Sequence, residues 1–543
     1  MEPDISFHFS PRPNSAHLIP WRTWGEAAFL EAAAQNRPIL LSISAVWCHW
    51  CHVMDETTYS DPEVQRLIQD RYLPVRIDRD LRPDIDLRYN MGGWPTTAFL
   101  TPSGDVLTGA TYLPPADMAS AATRVADFYL THGAEIESKA AAADTPAAPK
   151  PEASSLELDQ GAVTRVVEGF AASFDAEFGG FGLAPKFPQP EALSLLAERA
   201  LVTSSSRLMD MARSSLSAMA VGGMYDHVEG GFFRYSTTRD WSVPHYEKML
   251  EDHAGLIEAL ALTGQAEILD GAADYLVTTL LDPSTGLFAG SQDADEHYYL
   301  EDAEGRARLP APGVDRRIYV SWNAALAVAF LLADSRLGRP RLRQLAERAI
   351  DRLWMQYREL EGSMWHSDGV PGQLQDQVWM LLALVRSGRE VEARDLARCL
   401  DRDFEDQVGG GYLDRRDDEP LGRLALPLRP LKENALAAIS LLEMGATEAA
   451  ARVLDAVAAA TLDAGVGGAA LLARALDRRH RVAVRLTTSN PEMAAAGLGT
   501  FPYLLHEFAG DERAILCLGQ LCLSPIASPE ELIQAIRSHL LLV

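Results

Sequence analysis

The chain has 543 residues and a formal net charge of -27. This length exceeds what one hydrophobic core ordinarily serves, so two or more domains are expected. The acidic charge would repel nucleic-acid phosphates and anionic lipid surfaces, which argues against nucleic-acid and membrane partners. No run of 18 or more apolar residues occurs, so no transmembrane helix is predicted. The first residues lack a basic region followed by an apolar stretch, which favours a cytoplasmic location.

The first 130 residues alternate between patterns typical of strands and of helices. Short apolar runs predict four strands, and one helical stretch is expected from about residue 51 to residue 68. The predicted strands cover residues 39–47, 72–78, 96–101 and 105–113. Ser103-Gly104 fits the turn between the last two strands. The pattern indicates an α/β sandwich with a mixed sheet.

Helical patterns dominate the chain after an Ala/Pro/Ser-rich stretch at 139–157, which predicts a linker. Twelve amphipathic segments are expected in the following 320 residues. They begin near residues 158, 190, 206, 251, 266, 321, 340, 373, 389, 432, 447 and 467.

Glycine-rich turns recur at intervals of about 50 residues, which indicates stacked helical hairpins. The turns lie at Gly179-Gly180, Gly230-Gly231, Gly286, Gly362, Gly409-Gly411 and Gly465-Gly468. Each turn follows an odd-numbered predicted helix, so all six are expected at one end of the assembly. Six hairpins with their long loops at one rim form an (α/α)6 toroid. An open α-solenoid is the alternative, although its loops are usually shorter and more uniform.

The last part of the chain changes pattern again, with predicted strands at 482–487 and 514–519 and a final helix. If Gly519-Gln520 forms a two-residue hairpin turn, Cys517 and Cys522 face each other as a non-hydrogen-bonded pair. Two cysteines that face each other in such a pair are close enough to form a disulfide cross-link. The alternative is that both cysteines pack as small apolar residues in a terminal sheet.

The predicted fold class is therefore multidomain α+β. The domains are expected at 1–138 (an N-terminal α/β domain), 158–480 (the toroid) and 481–543 (a small C-terminal α/β segment), with the linker at 139–157.

Cys48-His49-Trp50-Cys51 is the strongest chemical motif. The pair follows a predicted buried strand and begins a helix, whose N-terminus stabilises a thiolate and lowers a thiol pKa. Cys48 would attack a disulfide and Cys51 would resolve the mixed disulfide. The two histidines that follow these cysteines, His49 and His52, could stabilise the thiolate.

Three other interpretations of the cysteine pair stay open. Cys-x-x-Cys-His also fits c-type haem attachment, but that chemistry normally needs export. A zinc site needs about four ligands, and no second Cys/His cluster has matching spacing. The pair could also be inert and buried. We predict no cofactor and no metal, because five cysteines in 543 residues neither form a disulfide scaffold nor supply a second cluster.

Trp94-Pro95 precedes the third predicted strand, and a proline in such a tight connection is a candidate cis peptide. Together with WCHWC and the VRID strand, Trp94-Pro95 gives the N-terminal region its resemblance to thioredoxin. In thioredoxin-like domains a cis-proline faces the dithiol. The residues expected at the dithiol face are Trp47, His49, Trp50, His52, Trp94 and Pro95.

Longer stretches extend the resemblance over nearly the whole chain. They are WCHWCHVMDETTYSD (47–61), IDRDLRPDID (77–86), GGWPTTAFLTP (92–102), FGGFGLAPKFPQP (178–190), the segment 219–254, SQDAD (291–295) and SWN (321–323). With these motifs the chain resembles the spermatogenesis-associated protein 20-like family. The resemblance implies a thioredoxin-like domain joined to a toroid similar to six-hairpin glycosidases and sugar epimerases.

The connection at 221–250 is far longer than the usual helix–helix connection, which predicts a functional loop. We expect its ionisable and aromatic residues, with those of the next long loop and of the SWN motif, to line a funnel. The candidates are Asp226, His227, Arg234, Tyr235, Trp241, His245, Glu247, Lys248, Gln292, Asp293, Asp295, Trp322 and Asn323. Carboxylates and histidines would supply acid/base chemistry, and aromatic rings would stack on sugar faces.

Within this set, His245 and Glu247 share a face only in extended chain, whereas Glu247 and Glu251 would share a face of a helix. The competing interpretation is that these residues cap helices and hold the long loop in place. A binding pocket without catalysis is the third possibility.

Three functions follow from these observations. The first is an intracellular thiol–disulfide oxidoreductase whose toroid recognises a protein client or a ligand. The second is a carbohydrate-active enzyme, an epimerase or a hydrolase, with the N-terminal domain as an accessory and a small sugar-like ligand as substrate. The third is a non-catalytic binding protein.

Overall fold

The computed structural model describes residues 7–142, 158–416, 419–457, 465–481, 483–507 and 512–540. The chain divides into two compact units. The first unit is Met1–Lys150 with Asp293–Asp295 and Arg415–Leu428, and the second is Pro151–Gln292, Glu296–Asp414 and Arg429–Val543. Most of the predicted linker, residues 143–157, lies outside the described residues.

The first unit contains a four-stranded mixed sheet, as the sequence predicts. Its strands are β1 (Ile39–Ser44), β2 (Leu73–Asp78), β3 (Thr96–Leu100) and β4 (Val106–Ala110). The sheet order is β2-β1-β3-β4, with β1 parallel to β2 and antiparallel to β3. All residues of β1 and β3 are buried, because apolar clusters cover both faces of the sheet.

Five helices accompany this sheet. They are α1 (Glu26–Gln35), α2 (His49–Glu56), α3 (Pro62–Arg71), α4 (Pro83–Tyr89) and α5 (Pro115–Ala142). The prediction of one helix over 51–68 is wrong, because Asp61 accepts hydrogen bonds from two backbone N–H groups and starts a new helix with Pro62 in its first turn. Helix α5 includes residues 139–142, where the sequence predicted the start of the linker.

The second unit contains the twelve predicted long helices, each beginning within two residues of its expected start. In chain order, with two short helices between them, they are α6 (Gln160–Ser173), α7 (Pro190–Thr203), α8 (Ser206–Val221), α9 (Leu250–Thr263), α10 (Ala266–Tyr275), α11 (Glu296–Tyr299), α12 (Ala303–Arg306), α13 (Val320–Leu337), α14 (Pro340–Gln356), α15 (Leu374–Arg386), α16 (Glu390–Phe404), α17 (Leu431–Glu443), α18 (Thr447–Val457) and α19 (Gly465–Arg479).

Six of these helices form a closed inner ring. Helix α7 packs against α9, and the contacts continue through α13, α15, α17 and α19 back to α7. The outer helices α8, α10, α14, α16 and α18 each pack against the inner helix before them, and α6 packs against α19. The inner helices are buried almost all round, whereas α14, α16 and α18 bury only one face. This arrangement is the (α/α)6 toroid, and the open solenoid is excluded.

Short strands pair within the long connections of the ring. They are β5 (Tyr235–Ser236), β6 (Pro244–His245), β7 (Lys248–Met249), β8 (Leu281–Asp282), β9 (Leu287–Phe288), β10 (Ser291–Gln292) and β11 (Val314–Asp315). Strand β5 pairs with β6, β8 with β9, and β10 lies between β11 and β7.

A four-stranded sheet and two helices complete the second unit. They are β12 (Val484–Thr487), α20 (Pro491–Thr500), β13 (Leu504–Glu507), β14 (Ile515–Leu518), β15 (Leu521–Cys522) and α21 (Pro529–Leu540). The order is β13-β12-β14-β15, and an apolar cluster joins the sheet to α20 and α21. The predicted C-terminal strands and closing helix are confirmed.

Four of the six predicted glycine turns share one hydrogen-bonding pattern, in which an aspartate starts the turn. The carboxylates of Asp175, Asp226, Asp282 and Asp406 each accept the backbone N–H two residues ahead, over 2.8–3.1 Å. The chain then returns through glycine, which the left-handed φ of about 70–80° at Gly179, Gly230, Gly286 and Gly410 requires. Each of these turns follows an outer helix and precedes an inner one, as the predicted positions of the turns imply.

Candidate functional site

Cys48 and Cys51 form a disulfide at the start of α2, directly after β1. Their Cα atoms are 5.2 Å apart. Cys48 is the N-cap residue, and its Sγ atom accepts the backbone N–H of Cys51 at 3.2 Å. A thiolate at this position would receive the same hydrogen bond and the positive end of the helix dipole, both of which lower a thiol pKa.

Two tryptophans beside the disulfide are held by aspartates. The indole Nε1 of Trp47 donates to Asp80 Oδ2 at 2.6 Å, and that of Trp94 donates to Asp86 Oδ1 at 2.9 Å. The two rings meet edge to face, with their centroids 5.8 Å apart. Arg79 lies over the Trp94 ring and pairs with Asp80 at 2.8 Å. The IDRDLRPDID motif therefore positions the rings, a role that the sequence did not reveal.

The peptide bond between Trp94 and Pro95 is cis, which confirms the prediction. Trp50 is 43% exposed and packs against Tyr112 with ring centroids 5.0 Å apart. His49 is half-buried and lies edge to face with Trp50. Trp50 is thus the exposed aromatic of the motif, whereas Trp47 is buried.

His52 is buried, and its Nε2 atom donates to the carbonyl of Val46 at 2.8 Å. Burial lowers its pKa to about 4, and His8 adds to this effect, so the ring is neutral near pH 7. Its Nδ1 atom lies 3.6 Å from the Oδ2 atom of Asp293. Asp293 and Asp295 therefore belong to the first unit, although the sequence suggested that they line the toroid funnel.

A buried ion pair lies deeper in the first unit. Arg76 on β2 forms two hydrogen bonds with Asp55 on α2, at 2.8 and 2.9 Å. The Arg76 guanidinium also lies over the rings of Phe9 and Trp21. Since Asp55 is one helical turn beyond Cys51, this pair anchors the helix that carries the disulfide.

Several toroid candidates are structural residues of the glycine turns. The Oδ2 atom of Asp226 accepts from Lys248 and Arg306, both at 2.7 Å. Burial lowers the pKa of Lys248 to about 8, although Asp226 opposes the shift. Asp175 holds Lys186 and Arg239 in the same way, and Asp406 holds Arg429. Such repetition in three turns indicates that Asp226 and Lys248 hold the loop.

Asn323 belongs to a second repeated contact. Its side-chain amide forms two hydrogen bonds with the backbone of Phe288, at 2.8 and 2.9 Å. Asn434 makes the same pair of bonds with Tyr412, both at 2.8 Å. In both cases an inner helix holds the backbone of a residue that follows a glycine turn.

The remaining buried candidates also have internal partners. Trp241 is fully buried and donates to the carbonyl of Phe178, so it cannot stack on a sugar in this structure. Gln292 accepts from the hydroxyl of Tyr275, and Trp322 packs against Tyr319. His227, in contrast, is exposed next to Tyr225.

Four candidates of the long loop do come together. His245 is in the extended strand β6, and its Nδ1 atom lies 2.8 Å from both carboxylate oxygens of Glu247. Tyr235 on β5 stacks on the His245 ring at 4.8 Å. The His245 hydrogen bond and the charge of Arg234 lower the pKa of Glu247 against the opposing effect of burial. The extended geometry of His245 and Glu247 is confirmed, but Glu247 shares no helix face with Glu251, because α9 begins at Leu250.

The first turns of three inner helices add charged groups whose pairing the sequence did not reveal. Lys432 on α17 pairs with Glu191 on α7 at 2.9 Å and with Glu251 on α9 at 3.9 Å. Because α17 is not a ring neighbour of α7 or α9, these pairs cross the interior of the ring. Acidic residues in a first helical turn usually complement the helix dipole. The sequence pattern alone therefore did not distinguish Glu191 and Glu251 from ordinary residues at a helix N-terminus.

Asp252 differs from its neighbours, because its buried Oδ2 atom has no hydrogen-bond partner among the described residues. Burial raises its pKa to about 7, and the nearby carboxylates of Glu251 and Glu191 add to this effect. Burial also raises the pKa of Glu433, on the first turn of α17. Of these two carboxyl groups, Asp252 has a pKa near neutral pH, and the pKa of Glu433 lies above its ordinary value.

Within the described ranges, no group of three or more His, Cys, Asp or Glu side chains is arranged to hold a metal ion. In the same part of the chain, no helix is both long and apolar enough to cross a bilayer.

Several known proteins are similar to parts of this chain. Residues 12–143 match the family Thioredox_DsbH, described as a protein of unknown function, DUF255. Spermatogenesis-associated protein 20 of Mus musculus is 34% identical over 307 residues, which are 51% of this chain and 39% of the relative. The chain therefore matches well under half of the length of that relative.

Two further similarities concern separate parts of the chain. The thiol:disulfide interchange protein DsbD 1 of Pseudomonas aeruginosa is 34% identical over 103 residues, 18% of this chain and 17% of that protein. A D-mannose isomerase structure aligns with a TM-score of 0.44 and 10% identity over 56% of this chain and 84% of its own. Residues 12–143 thus match the DUF255 family, and the predicted resemblance to the spermatogenesis-associated protein 20-like proteins is confirmed.

Proposed function

We propose that the chain is a thiol–disulfide oxidoreductase whose Cys48-Cys51 pair is its redox centre. The observation that carries this proposal is the disulfide at the first turn of α2, with Cys48 as the N-cap residue. The similarity to the protein named thiol:disulfide interchange protein DsbD 1 supports it.

In the reduced state, the Cys48 thiolate attacks a sulfur of the substrate disulfide, and the other substrate sulfur leaves as a thiolate. Cys51 then loses its proton and attacks Cys48, which forms the Cys48-Cys51 disulfide and releases the second substrate thiol. Two electrons pass from the protein dithiol to the substrate. The backbone N–H of Cys51 stabilises Cys48 as nucleophile and as leaving group.

The toroid would supply recognition of a protein client or of a small ligand. The hairpin that carries Tyr235, His245 and Glu247 is suited to this role, because it combines a stacked aromatic pair with a carboxylate. A cytoplasmic location, where free thiols are normally kept reduced, would favour a catalytic role of the pair over a structural one.

The reduction potential of the Cys48-Cys51 pair tests the proposal. Equilibration of the native chain with glutathione or dithiothreitol buffers, followed by thiol alkylation and peptide mapping of residues 48 and 51, gives this potential. We expect a value between about -120 and -270 mV, the range of thioredoxin-like catalysts. A pair that stays oxidised until the protein is unfolded would contradict the proposal.

A second candidate function is acid/base chemistry on a sugar in the toroid. The raised pKa of Asp252 favours it. A carboxyl group with a pKa of about 7 can donate a proton at neutral pH, and the ionised Glu247 could accept one. Sugar epimerisation and glycoside hydrolysis both need such a combination of groups.

Asp252→Asn tests this second candidate. Sugar-dependent turnover should decline above about pH 7 in the wild type, as Asp252 loses its proton, and should fall about 100-fold or more in the variant. The variant should fold at least as stably at pH 8, because burial disfavours the charge that it removes. Glu267→Gln, an exposed change on the outer helix α10, is the matched control. Turnover that survives in Asp252→Asn would exclude Asp252 as the acid.

A further inference from the structure

The C-terminal sheet contains a second disulfide, between Cys517 on β14 and Cys522 on β15. The residues pair across a hairpin whose turn is Gly519-Gln520, with Leu518 opposite Leu521. Their Cα atoms are 3.9 Å apart. The cross-link that the sequence left as one of two possibilities is present, and the other possibility, two separately packed cysteines, is wrong.

The disulfide lies on the outer face of this sheet. Side chains alternate between the faces of a strand, and Val484, Leu486 and Leu516 are buried in the apolar cluster. Cys517 is therefore on the opposite face, where it is half-buried and Cys522 is exposed. A thiol in solution can approach the Cys522 sulfur without passing through the core.

Strand β15 is also the edge strand of the sheet. Its other residue, Leu521, is 62% exposed. The disulfide closes a loop of only a few residues that the hairpin turn already holds together, and such short loops restrict the unfolded chain least. Its contribution to stability is therefore small, and exposed disulfides of this kind exchange readily with thiols.

The neighbouring strand places a cation beside Cys517. Arg485 on β12 is directly opposite Cys517 in the antiparallel register, so the two side chains are cross-strand neighbours on the outer face. The Arg485 guanidinium is half-exposed and pairs with Glu507 at 2.7 Å. A positive charge at this position stabilises a Cys517 thiolate.

We infer that Cys517-Cys522 is a second redox site, which small dithiols or dithiol proteins reduce by attack at Cys522. A thiolate of the reductant bonds to the Cys522 sulfur, the Cys517–Cys522 bond breaks, and Cys517 leaves as a thiolate next to Arg485. The second thiol of the reductant then attacks the reductant sulfur that is bonded to Cys522. The bond between that sulfur and Cys522 breaks, and Cys522 is released as a thiolate. The protein gains two electrons and two protons, and the reductant becomes a disulfide.

This inference is independent of the proposed function, and its test separates the two. In Cys48→Ser/Cys51→Ser, residues 517 and 522 supply the remaining disulfide, because Cys399 is unpaired and buried. The folded variant is incubated with dithiothreitol without denaturant, and free thiols are alkylated and located by peptide mapping. If this variant does not fold, the same mapping of the wild-type chain reads residues 517 and 522 directly.

We expect both residues to be alkylated while the circular dichroism of the native chain is unchanged. Reduced glutathione, a single thiol, should form its mixed disulfide at Cys522. Arg485→Gln should slow the exchange about fivefold, whereas the control Arg537→Gln, an exposed arginine on α21, should not. Alkylation that requires unfolding, or glutathione attached to Cys517, would overturn the inference.

Discussion

Cys48→Ser is expected to abolish the reduction of a disulfide substrate, by a factor on the order of a thousand or more, because the variant lacks the attacking thiolate. Serine is nearly isosteric and can accept the same N–H of Cys51, so the fold should be retained. The measurement is the turnover of a fluorescent disulfide peptide with dithiothreitol as the electron source, alongside the thermal unfolding midpoint.

Cys51→Ser should behave differently, which makes the pair of variants decisive. Attack by Cys48 is still possible, but the mixed disulfide is no longer resolved, so a covalent complex with the client should accumulate. Nonreducing electrophoresis and mass spectrometry would detect it. Cys399→Ala, a change at the buried unpaired cysteine, should keep the wild-type turnover. Equal activity of Cys48→Ser and the wild type would reject Cys48 as the nucleophile.

Glu198→Gln is expected to destabilise the toroid by about 3–5 kcal/mol, because it removes the counter-charge from a buried network. Glu198 on α7 binds both Arg474 and Arg478 of α19, with four hydrogen bonds of 2.8–3.2 Å. Arg474 also binds Glu258 on α9. The network thus links three inner helices. Urea unfolding followed by circular dichroism at 222 nm gives the free-energy difference.

We expect the folded protein to lose stability in acid as Glu198 becomes protonated. Although burial disfavours its charge, the two arginines lower the pKa of Glu198 from 4.5 to about 2. A carboxyl group with a lowered folded pKa stabilises the folded state above its unfolded pKa, and this effect disappears as the pH falls from about 4.5 to 2. Its contribution is about 3 kcal/mol.

The difference in stability between the wild type and Glu198→Gln should therefore shrink between pH 5 and pH 2. Glu168→Gln is the control, because Glu168 is 59% exposed and pairs loosely with Arg207 at 3.7 Å. Surface pairs of this kind contribute less than about 1 kcal/mol. A pH-independent difference for Glu198→Gln would show that packing, and not charge, accounts for its effect.

The helices of the toroid could be predicted because the evidence for them is local. Apolar positions at helical spacing lie within each helix itself, and they located all twelve starts to within two residues. The break between α2 and α3 was missed, although Asp61-Pro62 is a capping pair in the sequence. The apolar pattern across 51–68 continues on both sides of the break and concealed it.

The arrangement of the candidate site residues was predictable only where their partners are near in sequence. Cys48 and Cys51 are three residues apart, and His245 and Glu247 are two apart, so spacing sufficed. Asp226 depends on Arg306, 80 residues away, and its structural role was therefore invisible in the sequence.

The raised pKa of Asp252 could not be predicted from the sequence for the same reason. Its raised pKa depends on burial and on groups from α7, α9 and α17. Those helices are brought together only by the closed ring, which no single segment encodes. His52 is a parallel case, because Asp293 comes from a segment 241 positions later in the chain.

The contact between α19 and α7 has a consequence for how the toroid loses its structure. In an open repeat array, the terminal repeats expose an unpartnered face, and unfolding can spread inward from them one repeat at a time. Here every inner helix has two inner neighbours, so no repeat is terminal and none can fray first. Unfolding any one hairpin removes its inner helix from two interfaces at once, which favours a single cooperative transition over the stepwise loss of repeats from one end. Deleting one hairpin would likewise require the other five to change their angles together.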